Sequence, residues 1–205
     1  MASFKLTKGY TLNPPNITTK AILNILCTIP ESAPRPKVIA ATSTGVTKDS
    51  PIPLVYRPLY GYLLRGPHAD KLGLERILAH ATGREWDDKQ PREDITTVDG
   101  VKWKDRDGLP TTGSVETLVL RLPMLVEQKQ KSAPAKAKAS AASQPSEADN
   151  QADTKKEEEK PKYRVGGPEL RGLYSISREE VGYFIVEDAV KNWDQYKGKA
   201  ITVSR

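Results

Sequence analysis

Lys37-Val38-Ile39-Ala40-Ala41-Thr42-Ser43-Thr44-Gly45 is the stretch that sets the fold class of this chain. Its first six residues carry no interior charge and include β-branched types. A hydroxyl-rich loop follows. That pattern predicts a short strand buried on both faces, with a loop at its carboxyl end. Upstream lies a proline-rich connector over 32–36, and before it Ile22, Ile25, Leu26 and Ile29 recur at helical spacing. Thr18-Thr19 offers a cap for that helix, and Pro30 stops it. Residues 1–15 are polar and turn-forming. A helix that feeds a buried strand points to α/β architecture.

Downstream, 52–64 is apolar but broken by Pro53 and Pro58, which predicts a loop that admits a short helix. Pro67 suits the first turn of a new helix, whose apolar face is Leu74, Ile77, Leu78 and Ala81. Residues 82–113 read as a polar insertion, with Trp86 and Trp103 isolated in it. Val115-Glu116-Thr117-Leu118-Val119-Leu120-Arg121 is a second strand, ended by Pro123. Residues 127–162 consist largely of Ala, Ser, Lys, Gln and Glu. Such a segment buries too little apolar surface to offset its ordering entropy, so a disordered linker is expected. Tyr163-Arg164-Val165-Gly166 is expected to pair with Leu173-Tyr174-Ser175-Ile176. Ser177 and Glu180 form a capping box. The helix that it opens presents Val181, Phe184, Ile185 and Ala189, and Ala200-Ile201-Thr202-Val203-Ser204 is the last strand. Alternation of this kind implies a mainly parallel sheet with crossover helices. Residues 1–126 and 163–205 are then two parts of one domain, interrupted by the linker.

Composition narrows the function classes. The 205 residues carry a net charge of +6, but Lys and Arg are mixed with acids and form no basic stripe with interleaved aromatics. A solvated mixed-charge surface is the reading, and nucleic acid is not an expected partner. The one cysteine, Cys27, gives neither a disulfide framework nor a zinc site and reads as a small buried hydrophobe. No run is long enough to span a bilayer, and 1–13 lacks the apolar core of a signal peptide. A reduced, cytoplasmic setting is the expectation.

Several motifs resemble one known group. Residues 37–45 are similar to the fifth strand and following loop of the atypical short-chain dehydrogenases/reductases, the NAD(P)H-binding NmrA-like and biliverdin reductase B-like proteins. Pro67-His68-Ala69-Asp70-Lys71 followed by Glu75 resembles that group's next helix. Leu120-Arg121-Leu122-Pro123 resembles its sixth strand. Tyr174-Ser175-Ile176-Ser177-Arg178-Glu179-Glu180-Val181 resembles its late Ile-Ser-Arg signature, and Gly198-Lys199-Ala200-Ile201-Thr202-Val203 its closing strand. The resemblance implies a partial Rossmann-like sheet and an oxidoreductase with NADP or NAD as cofactor and a small-molecule substrate. The group's glycine-rich phosphate turn, which lets backbone amides approach the pyrophosphate, does not occur in this sequence. The first four strands of the fold are missing with it. That implies a truncated protein, or a complementing chain at the exposed edge of the strand over 37–42.

In open α/β sheets ligands bind beyond the carboxyl ends of the strands. There the resemblance makes Ser43 or Thr44 the catalytic hydroxyl and Thr42 a cofactor contact; the alternative is a loop that caps its own backbone. His68 and Lys71 share a helix face. The resemblance offers His68 as proton donor and Lys71 as ribose contact, although Pro67 stands where the superfamily's Tyr-x-x-x-Lys dyad needs its tyrosine. The other reading of both is a surface first turn. Arg121 contacts nucleotide or substrate, or else makes a structural ion pair. Tyr60 and Tyr62 either cover the site or pack as aromatics. No metal-ligand set stands out. The competing functions are a non-catalytic NmrA-like nucleotide-sensing regulator and an inactive fragment.

Overall fold

The computed structural model describes residues 2–30, 32, 34, 36–46, 55, 57–86, 97–98, 101–127, 163–167, 170 and 175–205. The chain opens with an antiparallel hairpin of β1 (Ala2–Lys5) and β2 (Gly9–Leu12). Next come α1 (Ile17–Cys27), β3 (Lys37–Ser43) and a 3-10 turn over Thr44–Val46. The helices α2 (Arg57–Leu63) and α3 (Arg65–Thr82) follow. A small hairpin of β4 (Thr97–Val98) and β5 (Val101–Lys102) leads through a 3-10 turn to β6 (Glu116–Leu122) and β7 (Met124–Val126). The last part holds β8 (Arg164–Gly166), β9 (Ser175–Ser177), α4 (Arg178–Tyr183), a π turn over Phe184–Ala189, α5 (Trp193–Tyr196) and β10 (Ala200–Ser204).

The main sheet has the order β3-β6-β10-β8. β3 runs parallel to β6 from Lys37 opposite Glu116 to Ser43 opposite Leu122, and β10 runs parallel to β6 on its other side. β8 closes that side antiparallel to β10. Among the described residues β3 has no strand on its outer edge. The mixed α/β class and the parallel strands agree with the sequence pattern.

Successive side chains of a strand point to opposite faces, and β6 divides the core accordingly. On one face Val119 packs with Ile22, Leu23 and Leu26 of α1 and Ile77, Leu78 and Ala81 of α3. On the other, Leu118, Leu120 and Leu122 pack with Ile176, Phe184, Trp193 and Tyr196. Helical layers therefore cover both faces of the sheet. Fully burying one such side chain is worth about 1.5–3 kcal/mol, so β6 anchors both layers.

Several expectations change. Residues 2–12 form a hairpin rather than an irregular lead-in. α1 ends at Cys27, three residues before Pro30, and its buried face includes Leu23 while Ile25 is 54% exposed. Both faces contain Ile22 and Leu26, and packing against α3 selects between them. The cap of α1 comes from Asp70, not from Thr18 or Thr19. β3 is a mostly half-buried edge strand, in which only Thr42 is buried, rather than one buried on both faces. Trp103, expected to stand alone in a polar insertion, is buried in the first core cluster with the His80 ring edge-on to it. The expected pairing of 163–166 with 173–176 does not form: β8 pairs with β10, and β9 pairs in parallel with β7. The capping box is present as read: the Glu180 amide donates to Ser177 Oγ at 3.0 Å and the Ser177 amide to Glu180 Oε2 at 2.9 Å. The low-complexity stretch 128–162 lies outside the described residues. Among the described residues no helix is long and apolar enough to cross a membrane.

Candidate functional site

β3 and β6 end side by side, and the middle of α3 lies beside them. The sequence puts charge where two apolar elements meet: Glu75 on the sheet-facing side of α3 and Arg121 near the end of β6. A charge in such a place needs a partner, and the two find each other. Arg121 Nη2 lies 2.7 Å from Glu75 Oε2, and Nε donates to both carboxylate oxygens at 3.2 and 3.3 Å. Thr42 Oγ1 donates to Glu75 Oε1 at 2.7 Å. Glu75 is fully buried, and the Arg121 side chain is 11% exposed. Thr42 and Arg121, both expected to touch cofactor, are thus tied to a carboxylate within the protein. Of the two readings of Arg121, the ion pair is the one the structure contains.

Lys71 lies one helical turn before Glu75 on α3, so the two share a helix face. Burial lowers the Lys71 pKa from its ordinary value, and the charges of Asp70 and Glu75 act against that lowering. His68 occupies the preceding turn. Burial, helped by the Lys71 charge, brings its pKa down to about 4. At neutral pH His68 is therefore a neutral imidazole, able to accept or donate one hydrogen bond but holding no proton as an imidazolium. His68 and Lys71 are both half-buried rather than surface residues.

Thr42 faces α3, so Ser43, the next residue, points to the other face of the strand end. Ser43 is half-buried and Thr44 is buried at the start of the 3-10 turn. The structure thus gathers Thr42, Lys71, Glu75 and Arg121 on the α3 side of the strand ends, with His68 at the margin. Ser43 is set across the strand end. Pro67 is the third residue of α3, so no tyrosine stands one turn before Lys71. Tyr60 and Tyr62 are 37% and 40% exposed on α2, a helix without a buried residue, and neither joins the core.

Glu75 is the member that sequence reasoning left without a role. A signal was present: Lys71 and Glu75 stand four apart, and Arg121 interrupts the apolar run of β6. Arg84, after the end of α3, also senses this carboxylate. Burial lowers its pKa, Glu75 acts to raise it, and Arg121 lowers it again. Among the described residues no group of three or more potential ligands is placed to hold a metal ion.

No family model and no solved structure matches this chain. The chain is 26% identical over 203 residues to reductase pytE of Aspergillus terreus. The matched region is 95% of this chain and 59% of that relative. The chain therefore spans about three-fifths of the length of the fungal reductase that it matches.

Proposed function

We propose that this chain supplies the carboxyl-terminal part of an NAD(P)H-dependent oxidoreductase of the atypical short-chain type, with a Rossmann-like sheet. Similarity to a reductase and the parallel order β3-β6-β10 support the reading. The observation that carries it is the half-buried Lys71 beside the Glu75–Arg121 pair at the carboxyl ends of β3 and β6, where open α/β sheets bind ligands.

The residues fit one end of a dinucleotide better than the other. Lys71 suits a ribose on the α3 side of the strand ends, and the hydroxyls that follow Thr42, Ser43 across the strand end and Thr44 at the start of the 3-10 turn, suit a substrate carbonyl. A glycine-rich turn for the pyrophosphate does not occur in this sequence. Bound nicotinamide supplies the hydride. The protein's part is local: Lys71 holds the ribose hydroxyls and carries a proton on Nζ, and Ser43 or Thr44 polarises the carbonyl. Thr42, Glu75 and Arg121 act as positioning residues that fix the strand ends relative to α3.

Binding of NADPH, followed by calorimetry and by fluorescence of the reduced nicotinamide, tests the proposal. Saturable micromolar binding that weakens at least about tenfold in Lys71→Ala is expected, as for loss of a charged hydrogen bond. No binding to a folded chain overturns it. Pro67 at the tyrosine position favours one second reading, a nucleotide sensor without turnover. That reading predicts binding without NADPH consumption in the presence of quinones or carbonyl compounds.

A further inference from the structure

The hairpin of β1 and β2 and the helix α2 carry apolar side chains that the strand-end site does not use. α2 has seven residues, Leu59, Tyr60 and Tyr62 among them, and none is buried. A helix of this length is marginal alone in water, and apolar side chains left in solvent add nothing to its stability. Phe4 and Tyr10 stand opposite each other across the hairpin, their rings edge-on and 5.3 Å apart, and both are half-exposed. Leu6, in the turn between the strands, is 83% exposed. The two elements adjoin. Gly9, with φ of 68°, closes the turn against the end of α2, where a side chain would collide with the Tyr62 and Leu63 carbonyls. Phe4, Leu6, Tyr10, Leu59, Tyr60 and Tyr62 therefore lie in one region of the surface. Exposed apolar residues scattered singly are ordinary, but a grouping of this kind marks an interaction site.

The charges beside these side chains decide the occupant. Lys5 and Lys8 stand on either side of Leu6, and both are exposed. Neither the hairpin nor α2 contains an acidic residue. An apolar tip between two ammonium groups suits an anionic lipid surface. The leucine enters the boundary between head groups and acyl chains, and the lysines stay with the anionic head groups. Tyrosine rings suit the same depth, since the ring is apolar and the hydroxyl stays wet. A second copy of the chain would set one cationic surface against another. A nucleic acid would use the lysines and the rings but would leave Leu6 and Leu59 without a role. Lying on a bilayer needs no helix long enough to cross it.

We infer that the hairpin turn and α2 dock this protein on an anionic lipid bilayer, with Leu6 as the inserted side chain and Lys5 and Lys8 as the contacts to the head groups. The surface is separate from the strand-end site and does not depend on the reductase reading.

The test is co-sedimentation of the full chain with vesicles of phosphatidylcholine that contain about 30% phosphatidylserine, with pure phosphatidylcholine vesicles as comparison. Saturable binding to the anionic vesicles is expected, weakened by added salt, with binding to the neutral vesicles lower by at least about tenfold. Leu6→Ser weakens binding to the anionic vesicles by at least about tenfold. Lys5→Gln combined with Lys8→Gln removes the preference for anionic vesicles. These positions are exposed, so circular dichroism and the melting temperature stay as in the parent. Val186→Ser, at an exposed position on the turn after α4, leaves binding unchanged. The proposal is overturned by a folded chain that stays out of the anionic vesicle pellet, by equal binding to the two kinds of vesicle, or by Leu6→Ser binding as the parent does. Two further results also overturn it. Self-association that Leu6→Ser abolishes, with no vesicle binding, assigns the surface to a second copy. Binding of a single-stranded oligonucleotide in place of vesicles assigns it to nucleic acid.

Discussion

Asp70 caps a helix that lies fifty-one residues before it: its carboxylate accepts the Thr19 amide at 2.9 Å, and its backbone carbonyl accepts the Thr19 hydroxyl at 2.8 Å. The second carboxylate oxygen accepts the Thr18 amide, also at 2.9 Å. The first amides of a helix have no partner within it, and here the neighbouring helix supplies both acceptors. Asp70→Ala should cost about 2–3 kcal/mol in denaturant unfolding, because it leaves two amides of a buried contact unsatisfied. Hydrogen exchange should show the loss first at Thr18 and Thr19. A cost near zero would mean that water replaces the carboxylate.

Breaking the Glu75–Arg121 pair should be more severe. Arg121→Met leaves a fully buried carboxylate with Thr42 as its remaining described hydrogen-bond donor, and a loss of about 3–5 kcal/mol is expected. Arg121→Met combined with Glu75→Gln should recover much of it, since no charge then stays uncompensated. Urea unfolding of the two single variants and the double variant closes the cycle. Additive losses would show that the two residues do not act together.

His68 should make stability fall on mild acidification. Its folded pKa, about 4, lies below the ordinary 6.5. Between these values the unfolded chain binds a proton that the folded chain does not. The contribution is therefore fully present above about pH 6.5, is lost as the pH falls toward 4, and is constant below that. After solvent screening of a half-buried side chain, about 2 kcal/mol is expected. Unfolding of the parent and of His68→Asn at pH 7 and pH 5 measures the slope. Equal slopes would place the effect elsewhere.

Glu180 joins the start of α4 to the last residue of the chain. One carboxylate oxygen closes the capping box; the other lies 3.1 Å from Arg205 Nε without hydrogen-bond geometry, so that contact is charge alone. Ser177→Ala should cost about 1 kcal/mol as a lost cap. Arg205→Ala should cost more than an ordinary surface change, because it leaves Glu180, which is 2% exposed, without its counter-charge. Thermal melts of both variants at one pH measure the two losses, and an Arg205→Ala variant no less stable than an ordinary surface change leaves it would assign the main role to the cap.

The parts of the fold legible in the sequence are those fixed by local chemistry. β3, β6 and β10 follow from apolar β-branched runs, α3 from its periodic face, and the start of α4 from two residues three apart. What escaped depends on distant partners. Asp70 is a cap only because α1 packs against α3, and Trp103 is core only because the chain after α3 folds back over the end of that helix. The partners of β8 and β9 were misjudged because closeness in sequence suggested a hairpin, whereas each joins a strand from farther away. At the candidate site the residue types were visible at 42–44, 68, 71 and 121. The carboxylate that organises Thr42 and Arg121 was visible only as one acid in a helix.

β6 carries Leu120 and Arg121 as immediate neighbours, one turned to each layer of helices. Shifting a strand by a single residue exchanges its two faces. A one-residue slip of β6 against β3 would set Leu120 against the Glu75 carboxylate and drive the Arg121 guanidinium among Phe184 and Trp193. Glu75 thus acts as a proofreader for strand alignment: it rejects the misthreaded sheet that an all-apolar β6 would tolerate.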